Sequence, residues 1–312
     1  MAMTKKKRFL AAAKGESVDR PPLTAWVHFQ SDHLSAVEVA DLHEAFFNAY
    51  DFDILKVMND YRYPVPEGVR TLDDPEALKQ YTKLSLDHPV FATQLEVLRI
   101  LRERMGPDIP IVETLFEPYQ QILRNVGFGE SENFFNNKSL ALEAVERVTE
   151  TTLDYVKAAR STGIDGVFLS INGAIPKGQP RGVTPEQHDT FQAPFAKRVL
   201  EAADGLVRIL HIHGNHLEID RAMDYPCEVV HVSDRLSHNP TLSELRKLTD
   251  KCLMGGINET RIQEYTLPEI EREVDDSFAQ AGKQNFILGP GCTIPSFTSA
   301  RNLLHLRAYS AK

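Results

Sequence analysis

Cysteine is scarce in this chain: Cys227, Cys252 and Cys292 are its only three in 312 residues. So few and so scattered, they cannot build the disulfide framework of a small secreted domain. Each thiol is therefore either a small buried filler or a thiolate with chemistry to perform. Long apolar runs are missing too. No stretch reaches the length of a membrane span, and the N-terminus lacks the apolar core of a signal peptide. The expectation is a cytoplasmic protein with no membrane partner. Positive charge is in deficit, with 35 Lys and Arg against 44 Asp and Glu and a net charge of −9. A nucleic-acid footprint needs a dense basic surface, so nucleic acid is excluded as a partner. The one basic run, Lys5-Lys6-Lys7-Arg8, reads as a solvated helix start.

What is present is alternation. Short apolar, β-branched runs at 23–29, 54–58, 109–116, 166–171, 207–214, 227–233, 252–258 and 286–292 are separated by longer stretches of helical periodicity. Those stretches include 89–105, 140–161, 185–203, 241–249, 267–281 and 297–308. Thr184-Pro185-Glu186 caps one helix start, and Thr241 with Glu244 has capping-box spacing at another. Eight βα repeats predict an α/β fold of the (β/α)8 TIM-barrel type. An open doubly wound sheet is the alternative, but no glycine-rich phosphate turn follows the first run. No linker divides the chain, so 1–312 reads as one barrel domain. Two connections, 59–88 and 172–183, are long and irregular. Both follow strands, which places them at the catalytic face, where such loops serve as lids or binding segments.

The segment Leu210-His211-Ile212-His213-Gly214-Asn215 carries the strongest chemical signal. Side chains alternate faces along a strand, so His211 and His213 point the same way. Two imidazoles make a poor hydrophobic layer and a good half of a metal site. The eighth run ends Gly289-Pro290-Gly291-Cys292, a stiff turn that holds Cys292 at the rim. Two histidines and a cysteine with an open fourth position form the arrangement of catalytic zinc, although iron or cobalt accepts the same donors.

Asp234, after the sixth run, is a candidate fourth ligand or a carboxylate that orients one histidine. His28 ends the first run and faces the same mouth if it points inward. Glu113, Glu117, Asn258 and Glu259 stand at strand ends within reach of the pocket. Glu113 joins Asp234 and His28 as a candidate catalytic group. Ser170, Asn172 and Asn215 are candidate substrate contacts, and Lys177 and Arg181 in the second long loop could meet an anion.

These residues resemble the uroporphyrinogen decarboxylase superfamily across nearly the whole chain. Arg20-Pro21-Pro22 is similar to its N-terminal signature, and Gly163–Ser170 and Met254-Gly255-Gly256-Ile257 to its later strands. The resemblance implies a barrel with the pocket at the strand C-termini, and a homodimer. The decarboxylases of the family carry arginines soon after that signature to hold a polycarboxylate. Here Trp26-Val27-His28-Phe29-Gln30 has none, which speaks against porphyrinogen decarboxylation.

The motifs are nearer to the superfamily's zinc-dependent methyltransferases, which move a methyl group between a corrinoid protein and a thiol such as coenzyme M. Their pattern, His-x-Cys-Gly-Asn plus a late Pro-Gly-Cys, is matched by His211-Ile212-His213-Gly214-Asn215 and Pro290-Gly291-Cys292, with His213 replacing a cysteine. That exchange makes the site more positive and a thiol bound there less nucleophilic. The implied activity is methyl transfer from a corrinoid, carried by a partner protein, or another donor to a small-molecule thiol on zinc. A metal-assisted lyase, decarboxylase or hydrolase is the alternative, and a non-catalytic metal-binding protein the third reading.

Overall fold

Seven of the eight apolar runs become strands: β1 (Leu55–Val57), β2 (Ile111–Phe116), β3 (Gly166–Ile171), β4 (Val207–Ile212), β5 (Val229–Val232), β6 (Cys252–Ile257) and β7 (Phe286–Pro290). A computed structural model describes residues 3–312. Each strand pairs in parallel with its neighbour in sequence. Helices make most of the crossovers between them, with a single 3-10 turn, Ile219–Ala222, between β4 and β5. The 23–29 run departs from expectation, making only one parallel bridge, Leu23 to Leu288. Pro21 and Pro22 precede it and cannot donate to a ladder.

This irregular segment nevertheless closes the cylinder. Thr24 N donates to Leu288 O (3.1 Å), Leu288 N to Pro22 O (2.9 Å), and Asp53 N to Leu23 O (2.8 Å). The fold is a (β/α)8 barrel with one extended, non-ladder stave.

A buried carboxylate pins that stave. Asp53 Oδ2 accepts from Leu23 N at 2.9 Å. Arg20 forks onto both Asp53 oxygens at 2.6 and 2.8 Å, and Arg8 reaches Oδ1 at 2.8 Å. Arg8 belongs to the helix Lys5–Ala13, whose basic start is thus not solvated as expected. Lys5 pairs with Asp51 (2.5 Å) and Lys6 with Asp165 (2.6 Å). Asp53 and Asp165 lie just before β1 and β3, so the helix closes the N-terminal end of the barrel. Its Phe9 and Ala12 join the interior cluster with Trp26, Ile54, Val112, Phe168, Ile209, Met254 and Ile287.

Parity along the strands sorts the rest. Ile209 belongs to that interior cluster, whereas Leu210 and Ile212 belong to the cluster packed against the helices. Helices 89–105 and 267–281 match expectation as Pro89–Met105 and Leu267–Ala281. The stretch 185–203 splits into Pro185–Phe191 and Ala193–Ala202 at Gln192 (φ −122°, ψ −63°), because Pro194 cannot continue a helix in progress. Ala36–Tyr50 was not expected, although its Ser35–Glu38 capping box is present in the sequence. The 59–88 connection is well packed: Tyr63, Leu72, Leu78 and Tyr81 form a separate cluster with Tyr119, Ile122, Phe134 and Phe191 at the edge of the barrel mouth.

Candidate metal centre

Because β4 buries Leu210 and Ile212 outward, His211 must turn into the barrel, and His213 follows it at the rim. Their rings lie 5.4 Å apart at 85°. Cys292 meets them from the turn after β7. One donor atom from each of His211, His213 and Cys292 lies within 4.8 Å of the other two. Among the described residues, no fourth His, Cys, Asp or Glu joins this group.

Among the described residues, both ring nitrogens of buried His211, and Nδ1 of His213, lack any hydrogen-bond partner. Buried polar nitrogens are normally satisfied; a neutral imidazole keeps a lone pair on one of its two nitrogens, and a metal is a fitting partner for it. Burial keeps the imidazoles neutral. It drives His211 well below the usual range, reinforced by His231 and His213. Burial, then Arg181 and Arg124, bring His213 to about 4. Neutral imidazole is the ligating form. Burial pushes the Cys292 thiol up to about 11, so without a metal it keeps its proton. The other two cysteines are fillers, Cys252 inside the barrel and Cys227 in the outer core.

Two residues not singled out from the sequence hold Cys292 in place. His231 on β5 packs against His211, with ring centroids 4.7 Å apart and planes tilted by 32°. Its Nε2 is 2.9 Å from Pro290 O, so Nε2 carries the proton. Ser233 Oγ donates to Gly291 O at 3.0 Å. Gly291 itself lies so close to Ser233 that a Cβ would come within 2.4 Å of its Cα. Only glycine allows that approach. The turn carrying the thiol is thereby fastened to β5.

The three donors open on a cavity of about 390 Å³ lined also by Trp26, His28, Lys56, Phe168, Ser170 and Arg124. Lys56 was not anticipated. Its ammonium lies 2.8 Å from Thr114 Oγ1, 4.0 Å from the Phe168 ring centroid and 4.4 Å from that of Trp26. Burial lowers it to about 7.

Of the other expected site residues, His28 and Ser170 line the cavity. His28 Nδ1 is 2.6 Å from Asp60 Oδ1, which fixes the ring. Asn215 lines an adjoining groove shared with His213 and Arg181. Asp234 is placed otherwise than expected: its Oδ1 accepts from Gly256 N at 2.8 Å and its Oδ2 faces Arg235 at 3.3 Å, so it is neither a ligand nor an orienter of the histidines. Glu113 also lies outside the cavity. Thr114 and Phe116 face inward, so Glu113 faces the helices, where Tyr155 Oη (2.7 Å) and Gln94 donate to it. Lys177 pairs with Glu132. Asn258, Glu259, Asn172 and Glu117 do not line the cavity either. Asn172 N donates to Glu117 Oε1 at 2.7 Å.

Glu117 has an unpartnered Oε2, and burial raises its pKa from 4.5 to about 8. The folded protein holds this proton more tightly than the unfolded chain. The resulting stabilisation is full below pH 4.5 and lost as pH rises through 8. Glu117→Gln is therefore expected to stabilise the protein at pH 9 by about 1–3 kcal/mol more than at pH 6, read by thermal or urea unfolding at both pH values.

Comparison with known proteins places this geometry in context. The family profile described as Uroporphyrinogen decarboxylase (URO-D) matches residues 55–310. A methylcobamide:CoM methyltransferase, MtbA, of Methanosarcina acetivorans is 23% identical, over 96% of this chain and 95% of its own. A uroporphyrinogen decarboxylase of Synechococcus sp. is 22% identical over 94% and 92%. Among solved structures, a methyltransferase from Methanosarcina mazei superposes with a TM-score of 0.78 at 20% identity, covering 99% of this chain and 98% of that one. At that identity the superposition speaks for the fold.

Proposed function

The chain belongs to the uroporphyrinogen decarboxylase family, and from that premise we propose that it is a zinc-dependent methyltransferase acting on a thiol, with the metal on His211, His213 and Cys292. The observation that carries the reading is the convergence of three donors, their imidazole nitrogens unpartnered, on one cavity. Similarity to a methylcobamide:CoM methyltransferase over nearly the full length supports methyl transfer and a corrinoid, carried by a partner protein, as the methyl donor.

His211, His213 and Cys292 would hold zinc through two imidazoles and a thiolate, and the ion would supply a Lewis acid that lowers the pKa of a substrate thiol. The protein's own part is to hold and shield. His231 and Ser233 fix the Cys292 turn. Trp26, Phe168, Phe116 and Leu123 give the cavity part of its wall as apolar surface. The segments 59–88 and 172–183, which bring Arg62 and Arg181 to the cavity, act as its lids.

The test is methyl transfer from methylcobalamin to a panel of thiols by zinc-loaded protein. The expected result is loss of the methylcobalamin absorbance with a stoichiometric thioether product. Transfer at the background rate across the panel would falsify the reading. A metal-assisted decarboxylase is the second reading, favoured by the cationic cavity lining and the similarity to decarboxylases. Carbon dioxide released from a carboxylate panel would select it.

A further inference from the structure

The cavity is lined by three arginines, Arg62, Arg124 and Arg181, with Lys56 beside them and, among the described residues, by no carboxylate, in a chain of net charge −9. Lys56 is deep and caged by two aromatic rings. The three arginines converge from three separate elements: the connection after β1, the helix Pro118–Val126, and the connection after β3. Most other arginines of the chain pair with Asp or Glu, as Arg8, Arg20, Arg102 and Arg198 do. Among the described residues these three do not. Arg124 lies over the Phe116 ring at 3.7 Å and Arg181 over Phe128 at 4.6 Å. Arg62 Nη1 donates to the Arg124 carbonyl at 3.2 Å. Arg124 Nη1 is buried with no acceptor among the described residues.

Arg181 also has φ 66°, in the left-handed region that few side-chain-bearing residues adopt. Like charges gathered without a counter-ion destabilise the free protein. Burial first, then Arg62 and Arg181, lower Arg124 to about 10. The one carboxylate whose charge opposes this, Asp60, is already engaged by His28 and by Ser31 N and Oγ. Arg181 and Arg124 are also the charges that bear on His213, so the cluster adjoins the three donors.

We propose that Arg62, Arg124 and Arg181 form a subsite for a multiply charged oxyanion, a phosphate monoester or paired carboxylates, at the end of the substrate remote from the reacting atom. A single negative charge would leave two of three guanidiniums uncompensated. Planar guanidinium forks match phosphate and carboxylate oxygens in pairs. The inference rests on the reading of this cavity as the substrate site, with reaction at the His211–His213–Cys292 end.

The experiment is calorimetric titration of zinc-loaded protein at fixed ionic strength with inorganic phosphate, malonate and methanesulfonate. Cys292→Ser, Arg124→Met and Arg181→Met are titrated alongside, each checked for the parent's circular dichroism. Phosphate or malonate is expected to bind about tenfold or more tighter than methanesulfonate, to lose about tenfold or more in each arginine variant, and to lose less than about threefold in Cys292→Ser. Tighter phosphate than malonate selects a phosphate monoester, and the reverse selects paired carboxylates. Equal binding of all three anions overturns the subsite, as does parent-like binding in both arginine variants. Anion binding lost in Cys292→Ser and kept in the arginine variants places the anion on the metal, which refutes the subsite and leaves the methyltransferase reading standing.

Discussion

His211→Ala is expected to lower methyl transfer to thiols by at least about a hundredfold and to weaken zinc retention by a similar factor. Removing a group that merely orients a metal ligand costs about 10–100-fold, and His211 is assigned as a ligand itself. Both its ring nitrogens lack a protein partner, so alanine there breaks no protein hydrogen bond. The fold should survive: His211 packs ring against ring, stacked on Phe168, tilted against His231 and edge-on to His213. His231→Ala makes the informative contrast. It leaves all three donors in place but frees Pro290 O, two residues before Cys292. An intermediate loss, with zinc bound more weakly but still detectable, is expected. Isothermal competition with a chromophoric chelator measures both variants. Unchanged zinc affinity in His211→Ala would remove this residue from the centre.

Asp53→Ala is expected to destabilise the protein by roughly 3–5 kcal/mol, because deleting one partner of a buried ion pair strands the other. Here two guanidiniums and the Leu23 amide lose their acceptor together. The consequence reaches the site. Leu23 starts the stave that carries Trp26 and His28 into the cavity, and Trp26 O accepts from Ile294 N at 3.0 Å, just beyond Cys292. Urea unfolding at pH 7 gives the stability loss. A change below about 1 kcal/mol, the range of an exposed pair, would show that Asp53 is not the pin of the barrel's closure.

Much of this was legible from the sequence because barrels make periodicity decisive. Alternation along 207–214 turned His211 and His213 to one face, and strand-end gathering brought Cys292 to them from some eighty residues away. The reading failed where both faces of a strand are buried. β2 is buried along almost its whole length, so its sequence does not say which parity faces inward, and Glu113, a pocket candidate by sequence, faces the helices. Asp234 went astray for a related reason. A strand-end carboxylate can cap a neighbouring backbone as readily as bind a metal, and the demand of Gly256 N appears only in three dimensions. Lys56 lay hidden in an apolar run, and Arg62 and Arg124 in segments whose placement depends on tertiary packing.

Elemental analysis of the untagged protein tests the central claim most directly, with Cys292→Ser measured beside it. The account predicts about one zinc per chain in the parent and loss of that zinc in the variant. A parent that takes up no metal after reconstitution, or a variant that keeps a full equivalent, would contradict it.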